Sequence, residues 1–203
     1  MIRFGTNEAH LRTMVLKNGK QYQIDMHLKH NRSKGIAVNK IPMKKASELF
    51  GILNIVFFSP EDLNIIKNGP SERRHFLDAE LCQLDKIYLS DLSNYNKILN
   101  QRNKLLKDMV YRPELSDTLP VWDMQLADTG KKIIRRREQF VKELNEIVHE
   151  IHYRISGGRE ELFLSYEPSV SADLLEQELE RVKPRDLKPV SYTHLRAHET
   201  SAH

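Results

Sequence analysis

The 203-residue chain has a single cysteine, a single tryptophan and no long apolar run. One thiol, Cys82, excludes an internal disulfide framework and leaves no thiolate cluster for zinc. The longest unbroken apolar stretch is Ile55-Val56-Phe57-Phe58, far short of a membrane-spanning helix. No apolar segment follows Met1 in the manner of a secretory signal, so the expected setting is a reducing cytosol. The sequence also lacks a Gly-rich phosphate loop, a Ser-centred nucleophile elbow and a Cys-x-x-Cys pair. Nothing in it reads as a catalytic site or a metal centre.

What is abundant is charge, at 30% of residues, and its placement is uneven. Residues 1–58 carry ten Lys/Arg against three Asp/Glu, a net +7. Residues 59–158 are balanced, and residues 159–189 are net −3. The basic front is either a surface for an anionic partner, nucleic acid above all, or a solvated face of a sheet.

The front also reads as strands. Leu11–Leu16 and Tyr22–Leu28 flank Lys17-Asn18-Gly19-Lys20, and Asn-Gly between apolar-rich runs signals a hairpin. A third strand is expected over Ile36–Ile41, completing an antiparallel meander. Lys44–Phe50 reads as a short helix ended by Gly51, and Ile52–Phe58 as a buried strand. Ser59-Pro60-Glu61-Asp62 is a compact helix start, Asn68-Gly69 a stop, and Pro70-Ser71-Glu72 a second start. Two long amphipathic stretches follow. One runs from Leu77 to Met109 and the other from Trp122 to Ile155, with Arg102 and Arg137 inside their apolar stripes. The Pro-containing link between them predicts an antiparallel helical hairpin. Leu162–Tyr166 reads as a strand and Ala172–Val182 as a short acidic helix. The predicted class is α+β: a meander, then a helical lobe.

Residues 190–203 have neither helical nor strand periodicity. They read as a non-native tail resembling translated sequencing-adapter read-through, so His194, His198 and His203 are not offered as metal ligands.

Three basic pairs or runs stand out. Arg73-Arg74 lie in the first turns after Pro70, Lys44-Lys45 precede the short helix, and Arg135-Arg136-Arg137 lie on the second long helix. For the triplet, a solvated or salt-bridged helix surface is the default. Lys44, Lys45, Arg73 and Arg74 are the candidates for phosphate contact.

Several adjacent motifs then narrow the reading. FSPEDL (Phe58–Leu63), GPSERRHFLD (Gly69–Asp78), YL-x-DL-x-x-Y (Tyr88–Tyr95) and QRNKLLK (Gln101–Lys107) occur in order. WDMQLADTG (Trp122–Gly130) and LSYEP (Leu164–Pro168) continue the series. Together they resemble the RecF family of bacterial DNA replication and repair proteins, in one register over roughly residues 1–188. That resemblance implies an ABC-type ATPase head related to the Rad50 and structural-maintenance-of-chromosomes heads, with a helical lobe inserted. It implies binding of ATP with Mg²⁺, DNA-dependent ATPase activity, and action on single-stranded or gapped duplex DNA. An ATP-dependent homodimer and a RecR-type mediator are the implied partners, in the cytoplasm. On this reading 1–58 is part of the ATPase-like lobe, 59–158 the helical lobe, and 159–188 a returning strand and helix.

The family's Walker A loop belongs upstream of Met1, and its signature and Walker B motifs belong downstream of about Lys188. The expectation is therefore an internal fragment, inactive and binding no nucleotide alone. Ser59 and Glu61 match the family's segment beside the nucleotide. Relatives in the wider superfamily place a Gln there to reach the metal, whereas this chain has Ser59-Pro60-Glu61. The alternatives are a non-catalytic DNA-binding or adaptor module built on the hairpin, and a purely structural hairpin joining protein partners.

Overall fold

The structure is a computed structural model, and it describes residues 2–187. The tail and its three histidines therefore lie outside the described residues. The chain divides into two compact units, with the boundary between Phe58 and Ser59.

The first unit is a four-stranded antiparallel sheet in the order β1-β2-β3-β4. Strand β1 (Glu8–Lys17) pairs with β2 (Lys20–Lys29) through Asn18 and Gly19, both at positive φ (+49° and +73°). That is the two-residue turn whose twist matches the flanking strands. Strand β3 (Gly35–Val38) pairs with β2, and β4 (Ile41–Pro42) pairs with β3. Ile24, Leu28, Ile36 and Val38 are buried on one face. Their register partners and the period of two put Asp25, His27 and Ala37 on the other.

Three expectations for this unit change. The third strand does not run unbroken from Ile36 to Ile41, because Asn39 and Lys40 take positive φ and form a second tight turn. Asn39 pays for its conformation by bonding β2 twice: its side chain accepts from the Gln23 N–H and its N–H donates to the Gln23 carbonyl, both at 2.8 Å. Lys44–Phe50 contains only a 3₁₀ turn, Ala46–Leu49, before Gly51 at φ +81°. Ile52–Phe58 forms no strand, and Val56, Phe57 and Phe58 are 74–89% exposed. High β-propensity describes a side chain that suits a half-buried pleat, and here no described strand supplies the ladder.

The second unit is helical. A 3₁₀ turn (Pro60–Leu63) runs into α1 (Asn64–Lys67), followed by α2 (Pro70–Leu84), α3 (Lys86–Asp108) and α4 (Leu119–Ile155). The unit closes with α5 (Leu175–Asp186), entered through a 3₁₀ turn at Ala172–Leu174. The expected continuous stripe from Leu77 to Met109 is broken at Asp85. Its carboxylate accepts from the N–H groups of Ile87 and Tyr88, capping α3 in place of helical continuation. Arg102 of α3 meets Asp123 of α4, and Tyr88 meets Arg137, the pairing of an antiparallel hairpin. Gly157 and Gly158, both at positive φ, follow the end of α4.

The expected strand Leu162–Tyr166 is extended but joins no sheet. It lies along α4 instead, where the Leu164 N–H donates to Asn145 Oδ1 (2.6 Å) and Phe163 stacks on His149. Its apolar residues thus pack on a helix, not a ladder.

The core forms where α5 and the segment before it lie on α3 and α4. Leu126, Ala127 and Leu179 cluster with Tyr95, Ile98 and Leu99; Ile134, Ala172 and Leu175 cluster with Tyr166 and Val170. Gly130 is the contact point. A Cβ there would come within 2.7 Å of Leu175 Cδ2 and 3.3 Å of Tyr95 Cε2. Gly130→Val is therefore expected to destabilise the chain by about 2 kcal/mol through overpacking, read as a lowered urea midpoint at unchanged slope. Among the described residues, no helix is long and apolar enough to cross a membrane.

Candidate nucleic-acid interface

Lys44 and Lys45 follow β4 after Met43, and both are exposed. The Lys45 N–H donates to Glu48 Oε1 (2.9 Å), which fixes the backbone while leaving its side chain to solvent. In the same unit Arg3, Lys29, His30, Arg32 and Lys34 line an open concavity of about 560 Å³. Sequence reading registered the +7 of this region but not that five basic side chains converge there. The β2–β3 loop and the chain before β1 do this, bringing together residues nearly thirty positions apart.

The remaining candidates belong to the second unit. Ser59 immediately precedes the 3₁₀ turn Pro60–Leu63, and Glu61 lies within it. The Ser59 N–H donates to Asp62 Oδ2 (2.5 Å), and a hydrogen bond from the Ser59 side chain holds the exposed Glu61 carboxyl below the usual carboxylate range. Both groups are thus engaged in closing their own turn.

Arg73 and Arg74 are half-buried in the first turns of α2. Arg73 Nη1 donates to the carbonyls of Asn68 (3.2 Å) and Ile65 (3.3 Å), so this residue also satisfies the open end of α1. Arg74 Nη1 is buried with no hydrogen-bond partner among the described residues.

The arginine triplet is salt-bridged, each member to a different element. Arg135 reaches Asp173 (2.7 Å), Arg136 reaches Asp85 (2.9 Å), and Arg137 reaches Asp78 (2.7 Å). Burial works against the charge of Arg137, yet Tyr88 and Asp78 hold its pKa above the ordinary value. Burial pushes the Tyr88 hydroxyl up as well, and takes the Cys82 thiol to about 11, far from a reactive thiolate. A second buried group joins Arg102 to Asp123 (2.5 Å) and Asp186 (3.0 Å). The buried pairs tie helices together.

No family model matches the chain. Curated relatives do. It is 68% identical over 188 residues to the DNA replication and repair protein RecF of Agathobacter rectalis, covering 93% of this chain and 52% of that protein. RecF of Lachnospira eligens is 58% identical over 190 residues, again covering 93% and 52%. The fold agrees: a solved structure of the recombination mediator protein RecF-ATP in the RecFOR pathway superposes with a TM-score of 0.80 at 32% identity. That match covers 92% of this chain and 52% of the other. The chain belongs to the RecF family. It spans about half the length of the curated RecF relatives it matches. Its sheet and helical hairpin accordingly have the RecF ATPase-like fold.

Proposed function

We propose that this chain is part of a RecF-type protein that binds DNA and ATP and acts in DNA replication and repair, in the cytoplasm, after DNA damage and in the SOS response. The observation that carries the reading is the 68% identity to RecF held over 188 residues together with the shared fold. In this reading the unit 1–58 belongs to the ATPase-like lobe, 59–158 to the helical lobe, and 159–188 returns the chain toward the ATPase. Ser59 and Glu61 lie near a nucleotide bound chiefly by other parts of the protein. A RecR-type mediator and an ATP-dependent second copy are its protein partners, and single-stranded or gapped duplex DNA its substrate.

The exposed Lys44 and Lys45, and the basic concavity of the same unit, support the DNA assignment. Arg73 and Arg74 remain candidates with a second, structural duty. The test is fluorescence anisotropy of the full chain on gapped duplex DNA across a salt series. Affinity should fall linearly on logarithmic axes as salt rises. K44E/K45E should weaken binding at least about tenfold and flatten the slope by about 2. Salt-independent binding, or a double variant indistinguishable from the parent, would sink the DNA assignment.

A further inference from the structure

The polar face of the meander carries a donor cluster that DNA binding leaves unused. Glu8 and His10 alternate along β1 and therefore share a face. The β1–β2 register sets His10 opposite His27 and Glu8 opposite Lys29. The two imidazoles lie stacked, with centroids 3.9 Å apart, and His27 Nε2 is 3.0 Å from Glu8 Oε2. One ligand atom from each of the three residues lies within 4.8 Å of the others, a grouping found once among the described residues.

We propose that Glu8, His10 and His27 form a binding site for a first-row divalent transition ion of the Zn²⁺ type, with three protein ligands and the remaining position open to solvent. Two imidazoles and one carboxylate are a borderline donor set that suits Zn²⁺ and not Mg²⁺ or Ca²⁺, which take oxygen. Tetrahedral bonds of about 2.0–2.1 Å place donors about 3.3 Å apart, so the widest spacing in the cluster need contract by no more than roughly 1.5 Å. Side-chain rotation supplies that, because all three residues are exposed or half-buried while the backbone register beneath them is fixed.

Two neighbours shape the site. Gly35 pairs with His27 on β3 and adds no side chain, and the face opens there into a concavity of about 410 Å³. Lys29 Nζ is 3.2 Å from the same Glu8 oxygen that faces His27. The ammonium thus occupies the carboxylate that the ion would take, and binding must displace it.

The competitor gives the decisive variant. Zn²⁺ is titrated by calorimetry into the full chain carrying H194A, H198A and H203A, which removes the tail histidines as ligands. One equivalent should bind, at least tenfold more weakly in H10A and in H27A, with no heat from Mg²⁺. K29Q keeps every ligand and removes the competing charge, so it should tighten Zn²⁺ severalfold whether or not the alanine variants fold. Wild-type affinity in the H10A/H27A double variant, or no Zn²⁺ uptake by K29Q, overturns the site.

Discussion

Replacing Arg102 with alanine is expected to destabilise the helical unit by about 4 kcal/mol, the scale for leaving a buried charge without its partner. The Arg102 side chain is fully buried, and its two carboxylate partners retain only 12% and 7% of their surface. It comes from α3, Asp123 from α4 and Asp186 from α5, so one guanidinium joins three helices. Removing it leaves two buried carboxylates that repel each other, with Arg185 the remaining cation acting on Asp186. The loss should appear as a fall in the urea midpoint with an unchanged slope.

The pH dependence carries a sign that separates this from simple cavity formation. Burial raises the Asp186 carboxyl above its ordinary value, and Arg102 opposes that rise. A carboxyl raised in the fold binds a proton more readily folded than unfolded, so its ionisation costs stability as pH climbs through that window. Without Arg102 the rise is larger and the window extends upward. The deficit of Arg102→Ala against the parent should therefore be greatest near neutrality and shrink toward pH 5. A deficit that stays constant over that range would point to lost packing alone. The apolar triple replacement R102M/D123L/D186L should recover most of the stability, since no charge is left stranded.

Legibility in the sequence followed how local the cause was. Asn18-Gly19 fixes a turn by its own φ preferences, and the hairpin it announces is present with the register expected of a two-residue loop. The apolar stripe from Trp122 to Ile155 specifies a helix by its own period, and α4 covers all of it. Where the outcome depended on a partner, the signal failed. Ile52–Phe58 and Leu162–Tyr166 have strand composition, but one lacks a ladder and the other packs on α4. Asn39-Lys40 turns because Asn39 bonds Gln23 on the neighbouring strand, which no local pattern reveals. Asp85 ends α2 without a Gly or Pro, through two hydrogen bonds to the next helix.

The candidate interface divides the same way. Residue type located Lys44 and Lys45, whose exposure follows from a charged side chain on a short connection. It could not show that Arg73 spends donors on the carbonyls of Ile65 and Asn68. The buried pairs did leave a trace, because Arg102 and Arg137 occupy apolar-stripe positions where a charge must find a partner. Their acids lie 21 and 59 residues away and share no spacing rule with them. The His10–His27 pair was hidden for a related reason: seventeen residues separate the two rings, and only the strand register makes them neighbours.

The second large effect concerns Asp78. Arg137 grips this carboxylate with both branches of its fork, Nη2 donating to Oδ1 (2.7 Å) and Oδ2 (3.0 Å) and Nε to Oδ1 (3.1 Å). The same Nε lies 3.0 Å from the Tyr88 hydroxyl, which itself donates to Asp78. Helices α2, α3 and α4 meet at this one group. Asp78→Ala strands the guanidinium, whose side chain is 6% exposed, and should lower stability by about 3 kcal/mol. The estimate sits at the low end because Asp78 keeps 22% of its surface. R137K should fare little better than R137A, since a point-charge ammonium cannot supply the planar fork. A double-mutant cycle between Asp78→Ala and Arg137→Ala decides the matter, with a coupling of at least about 2 kcal/mol expected in denaturant unfolding. Additive losses would mean the two residues act through separate packing. Coupling is the expected result because either single change leaves its partner's charge unpaired, and the double change removes both halves of that penalty at once.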